Sequence, residues 1–174
     1  MLGARVPFLP NRRALLRSLA ASGTCLLSGA RAHAASVSLV LVTSPETRLE
    51  NISLADLRQL FLGETVRDRA DAKLVPLNQS PATPERVHFD QRVLGMSADE
   101  MARYWIDQKV RGLRGAPRNL SPPQMIARVV ERFAGAVAYL RPEHVTGALR
   151  TVSIDGRAPG SAGYALAATG GKAT

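Results

Sequence analysis

The stretch Val75-Pro-Leu-Asn-Gln-Ser-Pro-Ala-Thr-Pro-Glu-Arg86 holds the residues best placed for chemistry. A strand-like segment ends there and a short polar loop follows. Thr83-Pro84-Glu85 then has the composition of a helix start: a capping hydroxyl, a proline at the first helical position and an early acid. The first N–H groups of a helix lack internal partners, and its dipole is positive at that end. A loop of small hydroxyl and amide side chains before such an end can hold an anion. Asn78, Gln79, Ser80 and Thr83 are the candidate side-chain ligands. Arg86 is the candidate guanidinium, a planar fork suited to an oxyanion. The simpler alternative is that Thr83 only caps its own helix and Ser80-Pro81 makes a turn.

A second basic feature lies downstream. Segment 109–118 contains Lys109, Arg111, Arg114 and Arg118 and no acid. It is a candidate accessory patch that focuses an anionic ligand. The alternatives are a solvated basic loop and a nucleic-acid contact. Tyr104-Trp105 lie nearby, but at helical spacing from Met101, which suits packing better than base stacking.

Other chemistries lack their residues. There is no G-x-S-x-G elbow, no P-loop and no G-x-G-x-x-G opening a helix after a strand. His88 and His144 are far apart in sequence and neither has a ligand cluster around it, so both read as surface histidines. The carboxylates are scattered. The expectation is a protein that is not an enzyme, with no metal and no cofactor.

The charge balance depends on the first 34 residues. The 174-residue chain has 23 Lys+Arg and 14 Asp+Glu, a net charge of +9. Residues 1–34 carry five arginines and no acid. They read as an export signal: a positive start through Arg17, a weakly apolar stretch, then Ala32-His33-Ala34 as a cleavage site. Asn11-Arg-Arg-Ala-Leu-Leu-Arg17 also resembles a twin-arginine signal. An amphipathic N-terminal helix is the alternative. Cleavage after Ala34 implies a periplasmic protein without cysteine, because Cys25 is the only one. The rest carries +4, which is weak support for a nucleic-acid partner, and none is expected.

The elements that must position these residues alternate. Ser36–Thr43 is an apolar, β-branched run that reads as a buried strand. Ser53 caps a helix that stops at Gly63, and 64–72 reads as a short hairpin arm. Lys73–Asn78 is a second strand. Helices start at Thr83, at the capping box Ser97-Ala-Asp-Glu100 and at Ser121-Pro-Pro-Gln124. Ala136–Leu140 and Leu149–Ile154 are further strands. Residues 155–174 are rich in Gly and Ala and read as a disordered tail. The pattern gives one α/β domain over 35–154 with a mostly parallel or mixed sheet flanked by helices.

The order of motifs resembles the small periplasmic proteins related to the phosphate-binding proteins of ABC importers. The carriers are Leu54-Ala-Asp-Leu-Arg-Gln-Leu-Phe-Leu-Gly63, and Lys73-Leu-Val-Pro-Leu-Asn-Gln-Ser80 leading to Thr83 and Phe89. Val93-Leu-Gly-Met-Ser97 with Tyr104-Trp105 and Gly112-Leu-Arg-Gly115, and Ala134-Gly-Ala-Val-Ala-Tyr-Leu140, complete them. The resemblance implies one lobe of the type-2 periplasmic-binding-protein fold. It also implies a small oxyanion such as phosphate as ligand and an association with ABC-type phosphate transport. The family's loop Arg-x-Asp-Gly-Ser-Gly-Thr falls on Leu77-Asn-Gln-Ser-Pro-Ala-Thr83. There Thr83 is kept, while Leu77, Gln79 and Pro81 depart from the pattern. These departures leave a second reading: a ligand-free interaction or sensor module that docks on a membrane partner.

Overall fold

The computed structural model describes residues 37–113 and 115–168. The leader expected over 1–34, its cleavage point after Ala34, Arg114 and the end of the tail lie outside the described residues. The strands are β1 (Val40–Thr43), β2 (Asn51–Ile52), β3 (Val75–Gln79), β4 (Arg118–Leu120), β5 (Ala136–Leu140), β6 (Arg150–Thr151) and β7 (Ser153–Ile154). The helices are α1 (Leu54–Phe61), α2 (Pro84–Phe89), α3 (Ala98–Val110) and α4 (Pro123–Arg132). A π-helical turn, Asp90–Leu94, prolongs α2. It ends at Gly95, which has φ +69°.

The main sheet is mixed, with order β4-β3-β5-β1-β6. β3 runs parallel to both β4 and β5, while β1 is antiparallel to β5 and β6. β2 and β7 form a separate parallel pair. Side chains of a strand alternate between faces, and here both faces are covered. Leu41, Val137 and Tyr139 enter a core with α1, Phe89 and Leu166. Val40, Val42, Ala138 and Leu140 pack on Ile126, Ala127 and Val130 of α4. The result is a helix–sheet–helix sandwich, the expected α/β class.

Local signals decide most helix starts. Ser53 accepts from the Asp56 N–H, Thr83 accepts from the Arg86 N–H, and Ser97 forms the full capping box with Glu100. The hairpin arm closes through an antiparallel bridge between Arg67 and Lys73. At α4 the expected Ser121 cap is replaced. Pro122 occupies the cap position without a side-chain bond, and Pro123 starts the helix.

Two expectations need correction. The last strand is not continuous: Val152 is buried between β6 and β7, which belong to different sheets. The segment 155–168, expected to be disordered, packs on the core. Tyr164 and Leu166 are fully buried. The Tyr164 hydroxyl accepts from the Leu41 N–H at 3.0 Å and donates to the Val152 carbonyl at 3.2 Å. The Leu39 N–H donates to the Leu166 carbonyl. Two large side chains with backbone pairing offset the ordering entropy that the Gly/Ala composition suggested would win.

Candidate functional site

Parallel strands β3, β4 and β5 end on one edge of the sheet, where open α/β sheets collect ligands. The β3–α2 loop leaves from there, and the candidates Asn78, Gln79, Ser80, Thr83 and Arg86 lie along it. Asn78 and Gln79 are the last residues of β3, and both are buried. Asn78 Oδ1 accepts from the Tyr139 hydroxyl at 3.0 Å, and Gln79 Nε2 donates to the Tyr139 carbonyl at 3.1 Å. These two amides therefore tie β3 to β5. Tyr139 is held from behind by Phe89, stacked at 4.0 Å. Burial raises its hydroxyl pKa, so it remains a donor at any physiological pH.

Ser80 and Thr83 are half-buried. Thr83 Oγ1 donates to the Ser80 carbonyl at 2.9 Å and accepts from the Arg86 N–H at 3.3 Å. Capping thus occurs as the simpler alternative required, and Ser80 and Thr83 sit beside each other.

Arg86 is 6% exposed. Its Nε donates to Asp90 Oδ2 at 2.6 Å, and a terminal nitrogen donates to Asn119 Oδ1 of β4 at 3.4 Å. The spacing of four residues places Arg86 and Asp90 on one face. Burial raises the Asp90 pKa, which the Arg86 hydrogen bond and charge only partly oppose. Asp90 Oδ1 is buried without a partner.

A second guanidinium stands beside this corner. Arg141 follows β5 and forms an ion pair with Glu85 in the first turn of α2. Burial acts to raise the Glu85 pKa. The Arg141 hydrogen bond, the backbone N–H of Glu85 itself and the charges of Arg141 and His144 outweigh it and hold the carboxyl below its ordinary value. The helix start thus carries one of the chain's own carboxylates. Each of the two arginines is matched by an acid.

The described residues of the accessory patch lie on different elements. Lys109 and Arg111 are exposed at the end of α3, and Arg111 pairs with Asp107 at 2.9 Å. Arg118 is in edge strand β4, in register with Leu77. Tyr104 and Trp105 pack edge to face at 4.9 Å, and the Tyr104 hydroxyl donates to the Leu62 carbonyl. His88 is half-buried rather than freely solvated. Burial, then the Arg92 charge, holds its pKa below the ordinary value, against the nearby Ala167 and Leu166 backbone, and its Nε2 is buried without a hydrogen-bond partner.

Sequence reasoning missed Asp90, Asn119, Tyr139 and Arg141. Asp90 had a signal, its spacing from Arg86. Asn119 and Arg141 reach the corner only through strand pairing between distant segments.

No family model and no curated protein matches the sequence. Solved structures do match. One is an ABC-type phosphate transport receptor from Vibrio cholerae, with TM-score 0.57 and 13% identity over 71% of this chain and 48% of that one. Another is a protein from Clostridium perfringens solved with bound phosphate, with TM-score 0.57 and 17% identity over 71% and 47%. A third is PstS from Borrelia burgdorferi, with TM-score 0.55 and 17% identity over 71% and 49%. At this identity the likeness shows the fold: mixed α/β, of the kind found in phosphate-transport binding proteins. The chain spans about half the length of those structures, a share consistent with the single lobe that the motifs imply.

Proposed function

We propose that this chain is an exported, non-enzymatic, solute-binding-like module that takes a small oxyanion such as phosphate at the β3–α2 corner. The single observation that carries the reading is Arg86. This arginine is nearly fully buried at the carboxyl ends of parallel strands, between Asp90 and Asn119 and one turn from Thr83. Ser80 and Thr83 offer hydroxyls, Arg86 a fork, and Arg141 a more accessible guanidinium. Charge-assisted bonds from such forks suit an oxyanion. The fold likeness to phosphate transport receptors supports the same ligand class and an association with ABC-type transport. Lys109, Arg111, Arg114 and Arg118 serve, in this reading, as an accessory source of positive field.

Affinity is modest because Asp90 and Glu85 already match both arginines. We expect a dissociation constant of about 1 mM, or ~4 kcal/mol of binding free energy. Calorimetry of the purified protein with phosphate, sulfate and small carboxylates tests this. Saturable heat with phosphate supports the reading, and no heat at millimolar ligand defeats it.

The same two ion pairs favour a second reading. A corner whose charges are internally matched, with Leu77, Gln79 and Pro81 in place of the expected ligands, suits a module that docks on a membrane transporter or sensor partner. Crosslinking in intact cells, followed by identification of an adduct to a membrane protein, would support it. A tight small-molecule ligand would count against it.

A further inference from the structure

Helix α3 turns only one face toward the protein. Met101 is buried and Tyr104, Trp105 and Gln108 are half-buried, so they mark the inner side. At about 100° per residue, Ala102, Ile106 and Val110 fall on the opposite side, spaced by one turn each. Ile106 is 64% exposed and Val110 81%. An amphipathic surface helix ordinarily turns its apolar stripe inward. Here Ala102, Ile106 and Val110 face solvent, with Asp99 at the N-terminal end of the same side and charge on the flanks.

We propose that this face of α3 is an interface with a second copy of the same chain, the two helices packing antiparallel about a two-fold axis at Ile106. The charge pattern points to self-association. A two-fold interface is self-complementary: if one residue meets another, the reverse contact is also made. In an antiparallel pair centred on Ile106, Ala102 of one copy meets Val110 of the second, and Ile106 meets its own equivalent. On one flank, Arg103 of one copy lies beside Asp107 of the second, and the contact occurs twice. Arg103 and Asp107 are both exposed, have opposite sign and lie on the same flank of the stripe. Asp107 pairs with its own Arg111, yet a carboxylate has acceptor sites for a second guanidinium. An open groove of about 560 Å³ runs along this flank, bordered by Leu94, Met96, Arg103 and Asp107 among others. It gives the side chains of the second copy somewhere to enter.

This surface is separate from the β3–α2 corner, and the inference holds whether or not the corner takes an anion. The test is sedimentation equilibrium of the full chain from micromolar to several hundred micromolar. Wild type is expected to dimerise. Arg103→Asp alone sets acid against acid, Asp107→Arg alone sets base against base, and each weakens the dimer about tenfold or more. The double swap Arg103→Asp/Asp107→Arg restores it. Mixing the two single variants yields a heterodimer, because each then complements the other. Arg128→Asp, on the exposed side of α4, leaves the dimer unchanged. Circular dichroism confirms that all variants fold. A wild type that stays monomeric throughout this range overturns the inference and leaves the face to another occupant. So does a dimer indifferent to both single charge reversals.

Discussion

Arg86 and Asp90 are an ion pair with side chains only 7% and 6% exposed. Breaking such a pair from one side strands a charge in a poorly solvated place. Asp90→Ala should cost ~3–5 kcal/mol in urea unfolding. Replacing both residues, as Arg86→Met with Asp90→Leu, should cost less than Asp90→Ala alone, because no charge is then left unpaired. Gly135 is a second constrained position. Its φ is +87°, and an added Cβ would lie 2.6 Å from the Lys73 carbonyl oxygen. Its N–H donates to Thr47 Oγ1, and its carbonyl accepts from Val75 N–H at the entrance to β3. Gly135→Ala should cost about 2 kcal/mol or more, read by the same unfolding measurement. Arg86 was legible in the sequence as a guanidinium at a helix start. Its neutralisation was not read, because the only mark on Asp90 is its four-residue spacing from Arg86, and Asp90 lies beyond the loop motif.

At the scale of elements, the starts of α1, α2 and α3 were legible because caps are local: the donor and acceptor are three residues apart. The segment 155–168 was not. Its order rests on Tyr164 reaching Leu41 of β1 and Leu166 reaching Leu39 just before it, more than a hundred residues earlier in the chain. Burial pushes the Tyr164 hydroxyl pKa up to about 12, so it donates as a neutral phenol. Tyr164→Phe leaves the Leu41 N–H unpartnered and should cost ~1–3 kcal/mol. His88 of α2 lies close to the same segment. Its folded pKa lies below the ordinary value near 6.5, so the folded state holds it neutral while the unfolded chain takes a proton first. Its contribution is therefore complete above pH 6.5 and is lost as pH falls from there toward the folded pKa. Thermal melts at descending pH should show a falling midpoint in this window, with a smaller fall in His88→Gln.

For the molecule as a whole, the sequence reading reached the α/β class and the single-lobe likeness, since strand and helix segments alternate visibly. The sheet order β4-β3-β5-β1-β6 was beyond it. β4 begins inside the segment read as a basic loop, and β1 pairs with β5 across most of the chain. That order brings Arg141 beside Glu85 and Asn119 beside Arg86, so it makes the corner. If the Glu85 carboxylate occupies part of the place an anion would take, Glu85→Gln should free Arg141. Phosphate affinity in calorimetry should then rise about threefold to tenfold, as expected for removing one adjacent like charge.

The most direct measurement is a phosphate titration followed by backbone amide NMR on the purified protein. Saturable shifts should appear at millimolar phosphate and centre on Ser80 to Arg86, Asn119 and Arg141. Shifts absent at 20 mM phosphate, a level about twentyfold above the expected dissociation constant, or confined to Lys109, Arg111 and Arg118, would contradict an oxyanion site at the β3–α2 corner.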